Sequence, residues 1–165
     1  MSQALREARM ALEKGEIPVG AVAVYQGHVI GRGHNQKETT HDPTAHAEMV
    51  ALREAARVRD GWRLTGVTLY CTMEPCPMCA GAIVQARVAR LVYAIDDPKA
   101  GAAGSVFDLL QHPQLNHQVE VHRGVLAAEA RELLQGFFRG LRDGEISRFS
   151  EDWKQRKLAE KRESM

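Results

Sequence analysis

Leu5, Ala8 and Leu12 recur at helical spacing within residues 2–14, leaving Arg6, Glu13 and Lys14 for solvent, so the spacing predicts a first helix that Gly15 can end. Ile17 to Tyr25 changes the pattern. Apolar and β-branched almost without interruption, it reads as a strand buried on both faces, with a turn at Gln26-Gly27 and a second strand over His28 to Gly33. Residues 34–44 are polar and aperiodic. Asp42-Pro43 then offers an N-cap followed by a proline suited to the first helical position, and Ala45, Met49, Leu52 and Ala56 recur at helical intervals. A helix is predicted from Pro43 to the stop at Asp60-Gly61, with His46 and Glu48 in its first turns.

Val67 to Cys71 reads as a central strand, Cys76 to Ala86 as a helix and Arg90 to Ile95 as the next strand. A β-α-β succession of this kind implies a right-handed crossover between parallel strands, and it brings both helix N-termini to the carboxyl edge of the sheet, where ligands of open α/β sheets bind. Residues 96–116 are rich in Gly, Ala and Asp, and Lys99 to Ser105 is long enough to form a flexible binding loop before Val106 to Leu110. Gln118 to His122 alternates as a short strand. Leu126, Ala130, Leu133, Phe137 and Leu141 line one face of a closing helix, and residues 146–165 read as a charged helical tail. No repeat or break in composition divides the chain. The expectation is one domain over residues 1–165, an α/β fold built as a three-layer α/β/α sandwich around a five-stranded mixed sheet.

Composition changes this picture little. At 165 residues and 44% hydrophobic the chain can bury a real core, and its formal net charge of +1 neither demands nor excludes a nucleic-acid partner. No stretch approaches a membrane span or a signal peptide. Three cysteines, two of them in a C-x-x-C pair, argue against a disulfide framework and for a reducing, cytoplasmic setting in which thiolates stay free for a metal.

The chemistry centres on Glu74-Pro75-Cys76-Pro77-Met78-Cys79. Pro75 keeps Glu74 extended and Pro77 suits the first turn of a helix, so Cys76 and Cys79 share one face of that turn, where the helix dipole favours thiolate. Two thiolates make half a zinc site, and His46 in the triplet His46-Ala47-Glu48 supplies a third ligand. Three protein ligands leave a fourth tetrahedral position open for water, the pattern of a catalytic rather than a structural zinc. Glu48, close by and not needed as a ligand, can carry protons between the attacking water, a ring nitrogen and a leaving amine.

Blander readings compete. Taken alone, His46 is an ordinary polar residue and Glu48 a solvated helix charge. The C-x-x-C pair could be a redox dithiol, although that leaves His46 and Glu48 without a role. Cys71 could close the site as a fourth ligand and make it structural, but it ends an apolar strand where a cysteine packs as a small hydrophobe. Of Phe137 and Phe138, which point about 100° apart on a helix, Phe137 belongs to the core and Phe138, beside Arg139, cannot share its narrow stripe.

H-x-E followed by P-C-x-x-C is the signature of zinc nucleobase deaminases. Together with Ile17 to Val22, Asn35, Asp42 to Glu48, Asp97-Pro98-Lys99, Gly101 to Ser105, Leu115-Asn116-His117 and Phe137-Phe138-Arg139, the chain resembles the bacterial tRNA-specific adenosine deaminases of the cytidine-deaminase-like superfamily. Ala94 and Ala130 depart from that pattern, where glycine and often cysteine stand. The resemblance implies one Zn2+ per chain on His46, Cys76 and Cys79, Glu48 as proton shuttle, and Asn35 and Val19 beside a flipped base. It further implies RNA contacts by Asp97, Lys99, Ser105, Phe138, Arg139 and Arg142. The implied activity is conversion of adenosine to inosine at the wobble position of an anticodon loop, an arginine tRNA being the suggested substrate, by a homodimer. A free guanine or cytosine deaminase and a non-catalytic zinc-binding module are the alternatives.

Overall fold

The computed structural model describes residues 1–144 and 146, so the predicted tail lies, past Ile146, outside the described residues. The sheet has strands β1 (Gly20–Tyr25), β2 (His28–His34), β3 (Thr68–Met73), β4 (Arg90–Ile95) and β5 (Glu120–Arg123) in the order β2-β1-β3-β4-β5. β1 runs antiparallel to both its neighbours, whereas β3, β4 and β5 are mutually parallel. It follows that β2 also runs with β3, and β1 alone is reversed. The helices are α1 (Ser2–Glu13), α2 (Lys37–Thr40), α3 (Ala47–Val58), α4 (Pro77–Gln85) and α5 (Ala127–Arg142).

Two apolar clusters separate the layers. On one face of the sheet the alanines of α3 and the Ala80, Ile83 and Val84 stripe of α4 pack on Ala21, Ala23, Leu69, Leu91 and Tyr93. On the other, Leu5 of α1 and Ala130 of α5 meet Ala94 and Ile95. The three-layer α/β/α sandwich with a five-stranded mixed sheet is thus the observed fold.

The β1–β2 connection is the expected tight hairpin. Gln26 and Gly27 both take left-handed backbone angles, φ 48° and 78°, which is what a two-residue turn matched to strand twist requires. β1 begins at Gly20, later than the apolar run suggests, and its first four residues are buried as expected.

Three local expectations are corrected. The helix expected from Pro43 starts instead at Ala47, with His46 extended at the N-cap (φ −75°, ψ 153°). Asp42 does cap, but it caps a turn: its carboxylate accepts from the Thr44 N–H at 2.8 Å and the Thr44 hydroxyl at 2.7 Å. The Ala45 carbonyl meanwhile accepts from the Gln36 N–H at 3.0 Å, which holds residue 45 out of the helix. The buried face of α3 is also rotated from the expected one, running through Ala47, Glu48, Ala51, Leu52 and Ala55, with Met49 and Ala56 only half-buried. Gly31 and Gly33 of β2 explain the rotation. A Cβ on either would run into the backbone carbonyl of Ala51 or Ala47, so α3 lies directly on a glycine track with its smallest side chains inward. Finally, the aperiodic stretch after His34 contains the short helix α2, which has no buried face for a pattern to reveal.

Candidate active site

The parallel strands all end on one edge of the sheet, and the chain leaves β2 for α3 and β3 for α4 at that edge. His46 at the N-cap of α3 and Cys76 at the N-cap of α4 therefore converge. Pro77 occupies the first helical position, where its missing N–H costs nothing, and turns Cys79 back onto the same side. The His46 Nδ1 lies 3.7 Å from the Cys76 sulfur and 3.6 Å from that of Cys79. All three donor atoms fall within 4.8 Å of one another, and among the described residues this is the group placed to hold a metal ion.

Charge is arranged accordingly. A hydrogen bond from Cys79, reinforced by His46 and opposed by burial, brings the Cys76 thiol down to about 4. The Cys79 thiol is pushed up by the same bond and by its own burial, so without a metal the pair sheds one proton easily and keeps the other. The bond to Cys76 in turn raises His46. Cys71 stands apart: wholly buried in the apolar cluster under α3, its thiol is driven well above the ordinary range, and it does not join the donor group. The reading of Cys71 as a small hydrophobe holds.

Glu48, in the first turn of α3, is 4% exposed, and burial raises its carboxyl to about 7. A carboxyl balanced between its two forms near neutrality can both take and give a proton. It lines a pocket with His46 and Cys76, and Val19, Asn35, Asp97 and Phe138 line it too. Phe137 is buried and Phe138 is 39% exposed, the division expected of two adjacent helical aromatics.

Four other predicted contact residues lie elsewhere. Arg139 lines a different groove between α1 and α5, with Arg9 and Leu12, and Arg142 is exposed at the last turn of α5. Lys99 is exposed on the loop after β4. Ser105 holds its own loop in place, since its backbone N–H and its hydroxyl both donate to Glu74.

Those two bonds belong to a larger anchor, which corrects the expectation of a flexible loop. The buried Glu74 carboxylate also accepts from the Asp97 N–H at 2.8 Å and the Ala103 N–H at 2.9 Å, and the Ala102 N–H donates to the Pro75 carbonyl at 2.8 Å. Burial would push the Glu74 carboxyl up, but these donors outweigh it and hold it below its ordinary value. The loop is thereby fastened to the segment that presents Cys76. Sequence pattern marks Glu74 as part of a motif without giving it this role; its signal is a carboxylate just before Pro-Cys in a chain that also offers a glycine-rich stretch of free N–H groups. Lys37 and Met73 also line the pocket, and neither carries a mark that pattern could single out.

Residues 1–142 match the MafB19-like deaminase family. The tRNA-specific adenosine deaminase of Bacillus subtilis (strain 168) is 51% identical over 142 residues, covering 86% of this chain and 88% of that protein. A solved structure from work on A-to-I editing by tRNA:A34 deaminases at the wobble position of transfer RNA is 44% identical, with a TM-score of 0.78 over 81% of this chain and 97% of its own. The guanine deaminase from Nitrosomonas europaea shares the fold at a TM-score of 0.68 but only 24% identity, over 82% of this chain and 81% of its own. The chain belongs to the MafB19-like deaminase family and, by its identity to curated members, to the tRNA-specific adenosine deaminases.

Proposed function

We propose that this protein hydrolytically deaminates adenosine to inosine at the wobble position of a tRNA anticodon loop, with Glu48 as proton shuttle and His46, Cys76 and Cys79 holding one zinc ion per chain. The observation that carries the reading is the placement of the buried Glu48 carboxyl in one pocket with His46 and Cys76 of the donor triad. Zinc fits the donor set. Bonds of about 2.0–2.1 Å to nitrogen and about 2.3 Å to sulfur at a tetrahedral angle ask for N···S separations of about 3.6 Å, and the observed separations are 3.7 and 3.6 Å. Bound there, zinc would supply Lewis acidity at an open fourth position, lowering the pKa of a water to about 7.

The chain's own residues do the rest. Glu48 accepts one proton as the water oxygen bonds to C6 of the base and passes it to the neighbouring ring nitrogen; it then takes the second proton from the new C6 hydroxyl and delivers it to the amine, so that C6=O forms as the C6–N bond breaks and ammonia departs. Val19 and Asn35 flank the base, and Phe138 offers an exposed aromatic face at the pocket mouth for an unstacked base. Asp97, Lys99 and Ser105, on one anchored loop, and Arg139 and Arg142, on the far part of α5, take the surrounding RNA in this reading. The family resemblance supports an arginine tRNA, a homodimer and a cytoplasmic setting, the last consistent with free cysteines. Among the described residues no helix is long and apolar enough to cross a membrane.

Inosine formation in an anticodon stem-loop, compared with turnover of free adenosine, guanine and cytosine, tests the proposal. The stem-loop should be deaminated far faster. Ready turnover of guanine or cytosine with an inert stem-loop would replace this reading with a free-base deaminase, and no turnover of any of them by metal-loaded protein would leave a non-catalytic metal-binding module.

A further inference from the structure

Glu16 is wholly buried, yet the chemistry above makes no use of it. One oxygen of its carboxylate accepts from the Thr39 N–H at 2.6 Å and the Thr39 hydroxyl at 2.8 Å, and the other accepts from the Asn35 side-chain NH2 at 3.1 Å. A carboxylate only accepts, so it commits Asn35 to turn its NH2 towards Glu16. Asn35 itself is 7% exposed and lines the pocket, and among the described residues its Oδ1 has no hydrogen-bond partner. A buried amide oxygen without a protein partner on the wall of a pocket is completed by what enters the pocket.

We propose that Glu16 is a specificity-positioning residue: by holding one N–H of the Asn35 amide, it fixes which hydrogen-bonding pattern that amide turns to the base. This deepens the deaminase reading and rests on it. With one N–H taken, Asn35 has an acceptor (Oδ1) and one remaining N–H donor for the ligand. That pair matches the N6 amine and N7 acceptor of adenine, the edge that an amide reads in two bonds. Guanine presents N7 and O6 there, both acceptors, so Oδ1 faces an oxygen. Inosine has the same O6, so the group that welcomes the substrate loses its partner once the amine has gone.

The substitution Glu16→Gln inverts the arrangement with almost no change of shape. To keep Thr39 bonded, the new side chain must turn its oxygen to Thr39 and its NH2 to Asn35. Asn35 then flips, offers one lone pair of Oδ1 to residue 16, and exchanges donor and acceptor on the edge it shows the base, so adenine loses both of its bonds whereas guanine loses the one to N7 and gains one to O6.

Binding can be read without turnover in protein carrying Glu48→Ala, using labelled anticodon stem-loops that differ only in adenosine, guanosine or inosine at the wobble position. The parent should prefer the adenosine loop, and Glu16→Gln should shift the adenosine-to-guanosine ratio by about tenfold towards guanosine. Asn35→Ala should erase the preference, and adding Glu16→Gln to it should move the ratio no further than about twofold. A merely structural Glu16 would shift all three loops together and would do so with or without Asn35. That result, a parent with no preference, or an Asn35→Ala variant that keeps it, overturns the proposal; if Glu16→Gln does not fold, Glu16→Asp decides, since the shorter carboxylate lets go of the Asn35 amide and should lower the adenosine preference, and an unchanged preference overturns the proposal. The deaminase reading is judged separately, by wild-type turnover of the adenosine loop, so either can fail while the other stands.

Discussion

The wall of the pocket that carries His46, Glu48 and Cys76, with Cys79 buried behind it, is made by two helix N-termini seated on the ends of sheet strands, whereas the wall that carries Asp97 is a loop hung from the single carboxylate of Glu74. On the first wall the backbone itself aims the side chains, with α3 pressed against the glycines of β2. On the second, four hydrogen bonds to one buried group do so. Damage to the first wall should therefore abolish chemistry, and damage to the second should weaken recognition while the chemistry persists.

The largest effect is expected from the three donors proposed to hold the metal, His46, Cys76 and Cys79. Cys79→Ser, or exhaustive chelation, should remove the metal and with it all measurable turnover, while Cys71→Ser keeps both; elemental analysis of the purified proteins reads this directly. Metal retained by Cys79→Ser and lost by Cys71→Ser would move the ligand assignment. Next comes Glu48→Ala, which should retain metal and fold but lower kcat by about 10² to 10⁴. Activity within a few-fold of wild type would remove Glu48 from its role.

The loop wall should answer more mildly. Glu74→Gln keeps the shape but exchanges an acceptor for a donor against the loop N–H groups, a loss of about 1.5–3 kcal/mol per bond to a charged group. KM for the stem-loop should rise by about tenfold or more on that scale, with metal content unchanged and kcat the less affected parameter. A fall in kcat alone would mean that Glu74 serves the metal segment rather than the loop. Smallest are the changes on α5. Phe138→Ala should weaken RNA binding by about 1–3 kcal/mol, the worth of one base stacked on an aromatic ring. Arg139→Ala, in a groove away from the pocket, should cost less and chiefly flatten the salt dependence of binding. Equal losses from the two would show that the RNA wraps across both faces of α5.

The two walls also differ in how far they could be read before the fold was known. The donor wall was legible because its residues obey local rules: Pro-Cys-Pro opens a helix, and H-x-E paired with P-C-x-x-C is a known signature. What local rules missed there was small, a helix start displaced from Pro43 to Ala47, because Asp42 can cap a turn as readily as a helix. The buried face of α3 was misjudged for a similar reason. Apolar spacing ranks Met49 above Ala47 and Ala51, but contact with a glycine track rewards small residues over large ones. The loop wall was harder, since Glu74 and Ser105 are 31 residues apart and no periodicity links them. Glu16 and Asn35 likewise meet only once the hairpin has closed and α1 has ended beside it. Phe137 and Phe138 lie between these cases: helical geometry alone separated the core ring from the exposed one, whereas whether Arg139 shared the pocket needed the fold.

The reversed strand β1 has a consequence for how the molecule assembles. β1 and β2 are joined by two residues and can zip together within microseconds, but β1 must also pair with β3, Ala21 with Cys71, far along the chain. The hairpin that presents Val19 and Asn35 can thus exist early, while His46, Cys76 and Cys79 come together only when the distant strand has docked. During refolding, metal capture should trail hairpin formation and report the slow closure of the sheet, so the rate of metal uptake by a freshly diluted chain is a clock for its long-range topology.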